Sequence, residues 1–192
     1  MSNTLPQTLC YLNGDYTPLK DAKISVLDRG FIFGDGVYEV VPAYAGKLFR
    51  FDQHMARLDR SLTELRIANP MTPAEWHEVA TKLIADYARI DCASGPGDIQ
   101  RDQIIYIQIS RGVAMRDHAM PPGLKPTVFV MTNAMKLPSL QQRAQGVPAS
   151  RRRIFGGRRR TSKAPACWGR CSLGRSASTR AQPKPSCSEA TF

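Results

Sequence analysis

Apolar residues recur with regular spacing through the first 135 positions, and that regularity stops after position 150. Residues 9–13 and 15–19 flank Gly14 and read as a strand, a turn and a strand. Residues 37–44 are rich in β-branched and aromatic side chains; Ala45-Gly46 then turns the chain into 47–50, which predicts a hairpin. Asp52 is placed to cap a helix running to about Leu65, with Met55, Leu58, Leu62 and Leu65 on one face. Thr72-Pro73-Ala74-Glu75 has the form of a capping box with proline at the first helical position. Trp76, Val79, Ala80, Leu83, Ile84 and Tyr87 follow at helical spacing, a stripe that predicts core packing. Gly95-Pro96-Gly97 reads as a loop, and 103–111 and 127–132 read as strands. The sum is an α+β fold in which strands outnumber helices.

The pattern divides the chain into a folded part over 1–135, a linker over 136–150 and a tail over 151–192. In the tail Ile154 and Leu173 are the sole members of the Ile, Leu and Val group. So little apolar surface cannot offset chain entropy, which predicts disorder. Charge divides at the same place. Residues 1–150 carry 16 Lys and Arg against 15 Asp and Glu, whereas 151–192 carry 11 against one acid, Glu189. The net charge of +11 therefore belongs almost wholly to the tail, which includes the runs 151–153 and 158–160 of arginine. A chain-wide nucleic-acid-binding surface is not expected. No apolar run approaches the ~20 residues of a membrane span, and the first seven residues lack a secretory pattern. Five cysteines without paired spacing argue for a reducing, cytoplasmic setting. Cys167 and Cys171 are close, but no His or second pair completes a metal site.

Three motifs carry a family resemblance. Asp28-Arg29-Gly30-Phe31-Ile32-Phe33-Gly34-Asp35-Gly36-Val37-Tyr38-Glu39-Val40 is similar to a signature of class IV pyridoxal-phosphate-dependent aminotransferases, and so is His54-Met55-Ala56-Arg57-Leu58, one hairpin later. Arg111-Gly112-Val113-Ala114-Met115-Arg116-Asp117-His118 resembles the carboxylate trap of D-amino-acid aminotransferases within that class. Branched-chain aminotransferases and aminodeoxychorismate lyases resemble the first two motifs but usually lack the Arg-Asp-His triplet. The resemblance spans roughly residues 9–149. It implies the N-terminal small domain of the class IV fold, pyridoxal 5′-phosphate as cofactor, amino acid and 2-oxo acid substrates, and a homodimer.

It also implies roles for particular residues. Arg57 corresponds to the cofactor-phosphate arginine; a planar guanidinium grips phosphate oxygens bidentately. Outside the motif it would read as a solvated helix charge. Tyr38 corresponds to a tyrosine beside the cofactor whose hydroxyl bonds cofactor or substrate carboxylate; by itself it is equally a half-buried strand aromatic. Arg116 and His118 correspond to charge-assisted donors to the substrate α-carboxylate, although alone they would read as surface polar residues. Glu39, next to Tyr38 in a regular strand, points to the opposite face and ranks below these four.

One departure bears on activity. The family's Schiff-base lysine, which is both covalent anchor and proton shuttle, lies in a string resembling Asp-Ile-Arg-Trp, three residues, Asp-Ile-Lys-Ser, then Leu-Leu-Gly. No such string follows Val147, and Lys163 and Lys184, the lysines beyond Ser150, lack its context. No catalytic lysine is therefore assigned.

The genetic code suggests why. In the frame that joins each codon's third base to the next two bases, Arg153-Ile154 permits Asp and Ile154-Phe155 permits Ile or Phe. Phe155-Gly156 then gives Arg or Trp, and Arg160 through Ala164 permits Asp, Ile, Lys and Ser in order. Cys167-Trp168 forces Leu and Trp168-Gly169 forces Gly, where the family has them. The expectation is a one-base deletion or sequencing error between about codons 147 and 153. The chain would then be an inactive, out-of-frame form of a D-amino-acid transaminase. Two alternatives remain: another class IV activity, or a non-enzymatic domain with a basic nucleic-acid-binding tail. Trp168 alone offers that tail little base stacking.

Overall fold

The computed structural model describes residues 7–92, 102–135 and 137–147, with side chains omitted at 91 and 92. They fall in two units, 7–137 and 138–147. The tail over 151–192, and Lys163 with it, lies outside the described residues.

Alternation and turn chemistry build the first unit as expected. Strands β1 (Leu9–Leu12) and β2 (Asp15–Pro18) pair antiparallel through Asn13-Gly14, both at positive φ, a turn whose twist suits the strands. Strands β3 (Gly36–Tyr44) and β4 (Lys47–Leu48) form the second hairpin, with Ala45 held at φ 47°. Strands β5 (Gln103–Ser110) and β6 (Thr127–Ala134) complete a six-stranded sheet of order β2-β1-β6-β5-β3-β4. Every pairing in it is antiparallel.

Helices α2 (Phe51–Glu64) and α3 (Pro73–Cys92) cover one face of this sheet. Val37, Val41, Ile105, Ile107, Ile109 and Val130 from the strands meet Leu58, Leu62, Trp76 and Leu83 from the helices. Burying one large aliphatic side chain contributes about 1.5–3 kcal/mol, so this interlocked layer supplies most of the driving force for the unit. The Thr72 capping box is present: Thr72 N–H donates to Glu75 Oε2 at 2.7 Å and Glu75 N–H to Thr72 Oγ1 at 3.3 Å. Trp76 Nε1 donates to Asn69 Oδ1 at 3.1 Å, which satisfies its buried polar edge.

Three features differ from the sequence expectation. Asp52 does not cap α2; the N-cap is Arg50, in the left-handed region at φ 48°, and Asp52 sits in the first turn, where a carboxylate favours the positive end of the helix. A short helix α1 (Arg29–Phe33) stands where no periodicity announced one. Five residues are too few to show a period. Asp28 caps it by accepting from Gly30 N–H at 2.7 Å, and Gly34 ends it in the left-handed conformation. The 136–150 stretch, expected as a linker, includes helix α4 (Leu140–Gln145), started by a Ser139/Gln142 capping box. Among the described residues no helix is long and apolar enough to cross a membrane.

Candidate active site on strand β3 and the 113–119 loop

Strict alternation along β3 sorts its side chains. Val37, Glu39, Val41 and Ala43 are buried toward the helices, while Tyr38, Val40 and Pro42 are half-buried on the other face. The expected opposition of Tyr38 and Glu39 is therefore observed. Glu39 is a carboxylate only 1% exposed, and it is fully engaged. Arg57, from α2, donates Nε to Glu39 Oε2 at 2.6 Å and Nη2 to Oε1. His54, one turn earlier, places Nδ1 3.0 Å from Oε1 and 3.2 Å from Arg57 Nη2. The Val40 amide donates to the same Oε1 at 2.9 Å. Burial pushes the Glu39 carboxyl up, but the hydrogen bonds from Arg57, His54 and Val40 outweigh it and hold the group below the usual carboxylate range. The same pairing pushes Arg57 up.

This geometry fits a phosphate-binding role. Glu39 uses Nε and Nη2 of Arg57 and leaves Nη1 uncommitted to it, and the side chain stays 38% exposed. Among the described residues β4 pairs with β3 only at Ala43 and Tyr44, so residues 36–41 border an edge without a strand partner. On the other face Tyr38 stacks on Tyr106 at 6.0 Å and 24°. Tyr106 donates its hydroxyl to Gln108 Oε1 at 2.8 Å. Burial first, then the nearby Tyr38 hydroxyl, raise the Tyr106 phenol above its ordinary range.

A second buried ion network carries the 113–119 loop. Asp35 receives Arg29 Nε at 2.8 Å, Arg111 Nε at 2.8 Å and Arg111 Nη2 at 3.0 Å. Burial raises the Asp35 carboxyl, and the hydrogen bonds from Arg111 and Arg29 reverse this and lower it. Arg29 extends from Asp35 to the loop, donating Nη1 to the carbonyls of Asp117 at 2.8 Å and Ala119 at 3.2 Å. The backbone joins in: Arg29 N–H donates to Gly112 O at 2.9 Å and Ala114 N–H to Leu27 O at 3.3 Å. So held, the loop brings Arg116 and His118 to one ring. Arg116 Cζ lies 5.5 Å from the Phe33 centroid, and the His118 ring lies 5.8 Å from it. Both side chains remain exposed.

The four residues singled out in the sequence thus occupy two places: Tyr38 and Arg57 on β3 and α2, Arg116 and His118 around Phe33. The partners that order them were not foreseen. The sequence pattern ranks Glu39 below the four and gives His54, Asp35 and Arg29 no role of their own. A usable signal existed for one: His54 and Arg57 are three apart on a helix and so share a face. Among the described residues no group of three His, Cys, Asp or Glu is placed to hold a metal ion.

The amino-transferase class IV family model matches residues 36–166. The D-alanine aminotransferase of Staphylococcus epidermidis is 35% identical over 143 residues, covering 74% of this chain and 46% of that protein. Those of Staphylococcus aureus and Bacillus licheniformis are 36% identical over 129 residues and 35% over 137, covering 67% and 71% of this chain and 42% and 44% of theirs. The chain spans less than half the length of these relatives. Solved structures share its fold. The Escherichia coli branched-chain amino acid aminotransferase gives a TM-score of 0.55 at 22% identity over 68% of this chain and 42% of its own. The 4-amino-4-deoxychorismate lyase of Pseudomonas aeruginosa gives 0.52 at 25% over 72% and 44%. A hypothetical aminotransferase from Mycobacterium tuberculosis, solved in a pyridoxal-phosphate-bound form, gives 0.51 at 20% over 66% and 39%. With the fold and the ordered motifs in agreement, the chain belongs to the class IV amino-transferase family.

Proposed function

We propose that this sequence derives from an enzyme that transfers an amino group between a D-amino acid and a 2-oxo acid with pyridoxal 5′-phosphate, and that the 192-residue chain in its given frame does not turn over. The observation that carries the reading is the Glu39–Arg57 pair: a buried carboxylate fixes a partly exposed guanidinium while leaving one of its nitrogens uncommitted to the pair. Arg57 holds the cofactor phosphate. Glu39 and His54 keep its plane fixed, so little side-chain entropy is lost when the anion arrives. When bound, the cofactor supplies an electron sink for the electrons left as the substrate α-proton departs. Tyr38 orients the substrate from the β3 side, and Arg116 and His118 donate to its α-carboxylate from the ordered loop. Proton transfer at the α-carbon requires a lysine in the family's motif, and this frame supplies none.

The D-amino-acid reading is favoured over the branched-chain and lyase readings by the Arg116-Asp117-His118 triplet and by relatives above 30% identity that are D-alanine aminotransferases. Cytoplasmic residence and a homodimer belong to the same proposal. Resequencing across codons 145–165 tests the frame. A gene with one further base between codons 147 and 153 is expected; clean reads of the given frame, with the 151–192 tail found by mass spectrometry, refute it. The frame-restored protein is expected to convert D-alanine with 2-oxoglutarate and to leave L-leucine unchanged. The 192-residue chain is expected to lack a cofactor absorbance that borohydride fixes onto a lysine; such a band on Lys163 overturns the assignment of inactivity.

A further inference from the structure

The turn that follows α2 and the 120–124 segment line a cavity of about 410 Å³, within the size range of small-molecule sites. Its walls are Ile67, Ala68 and residues 120–124, largely apolar, together with Arg66 and Arg111; no acid lines it. The two arginines differ. Arg111 is buried, and its guanidinium serves Asp35, the Leu65 carbonyl at 2.7 Å and the Arg66 carbonyl at 3.1 Å. Arg66 is exposed, and among the described residues no acid pairs with it.

The backbone makes Arg66 an unexpected choice. It occupies the position that ends α2 in a Schellman turn: Arg66 N–H donates to Thr63 O at 3.0 Å and Ile67 N–H to Leu62 O at 3.0 Å. Its φ is +55°, a conformation glycine adopts freely and a Cβ disfavours. A side chain is kept where glycine would be more stable, and it borders an apolar cavity.

We propose that this cavity binds a small monocarboxylate with a branched apolar body, Arg66 taking the carboxylate and Ile67, Ala68, Met120 and Leu124 the body. One uncommitted guanidinium matches one carboxylate bidentately. A doubly charged phosphate would find one uncommitted guanidinium for two charges, because Arg111 already serves Asp35 and two carbonyls. The site shares no residue with the proposed cofactor and substrate groups and does not depend on them.

Titration calorimetry of the 192-residue chain with 3-methylbutanoate and with its uncharged amide tests this. The acid is expected to bind saturably at one site, at least about tenfold more tightly than the amide. Arg66→Gly is expected to weaken the acid about tenfold or more while the thermal midpoint holds or rises, because glycine relieves the backbone. Met120→Asp, which places a negative charge in the wall, is expected to abolish acid binding by a route that leaves the turn intact. Equal affinity for acid and amide, absence of saturable heat, or unchanged binding by both variants overturns the proposal. So does binding that persists in Arg66→Gly and is lost in Arg116→Ala, which would move the ligand to the other loop.

Discussion

Glu39 illustrates what a buried charge requires. Removed from water, it is stable as an anion only because Arg57, His54 and the Val40 amide all face it. Glu39→Gln keeps the shape but removes the charge opposite Arg57, and is expected to lower stability by about 1–3 kcal/mol in urea denaturation. It should also weaken retention of inorganic phosphate by Arg57 in the frame-restored protein. Unchanged stability would show that the pair is idle. Asp35 and Glu39 both have carboxyl values depressed by folding, so the unfolded chain binds protons more readily than the folded one. Their stabilisation is complete above the ordinary carboxylate value of about 4 and is lost as pH falls through the lower folded values. Urea midpoints are expected to stay level between about pH 7 and 5 and to fall below about pH 4, with a shallower fall in Glu39→Gln. Gly36 is constrained by space: a Cβ there would lie 2.4 Å from the Ile109 carbonyl oxygen of the neighbouring strand. Gly36→Ala is expected to cost about 1–3 kcal/mol by forcing β3 from β5, read as a lower thermal midpoint.

Among the elements, β3 and α2 do the most to position the site, because one strand and one helix place Tyr38, Glu39, His54 and Arg57 at a shared edge. Their union depends on the core beneath. Leu58, one residue after Arg57 and 1% exposed, packs into the helix–sheet layer. Leu58→Ala is expected to destabilise by about 2–5 kcal/mol, and Thr72→Ala, which removes only a cap of α3, by about 1 kcal/mol. Comparable losses from the two would mean that Leu58 packing contributes no more than the Thr72 cap; chemical denaturation of both variants decides it. Periodicity together with turn residues announced α2, α3 and all six strands; the two-residue β4 repeats no pattern and was marked by the Ala45-Gly46 turn alone. Helix α1 is shorter than two turns, and its end residues are set by contacts of Asp28 and Gly34, so it left no period to read.

Along the whole chain, net charge divides near position 150. The first unit carries the family motifs and an ordered sheet, while the net positive charge sits in 151–192. Frame restoration is expected to replace that basic stretch with the lysine motif and so change activity and charge together, which isoelectric focusing and the D-alanine assay measure side by side. From residues alone follow the α+β class, the strand and helix pattern, the opposed faces of Tyr38 and Glu39, and the three motifs that mark the family. These are local properties, since period reports which face a side chain takes and motif spacing is read along the chain. Only the tertiary structure pairs Glu39 with Arg57 across 18 positions, ties Asp35 to Arg111 across 76, and brings Arg29 to the carbonyl of Asp117 across 88. Such pairings are fixed when helices pack on the sheet and strands take register, and no local pattern encodes which distant charge a buried carboxylate will meet.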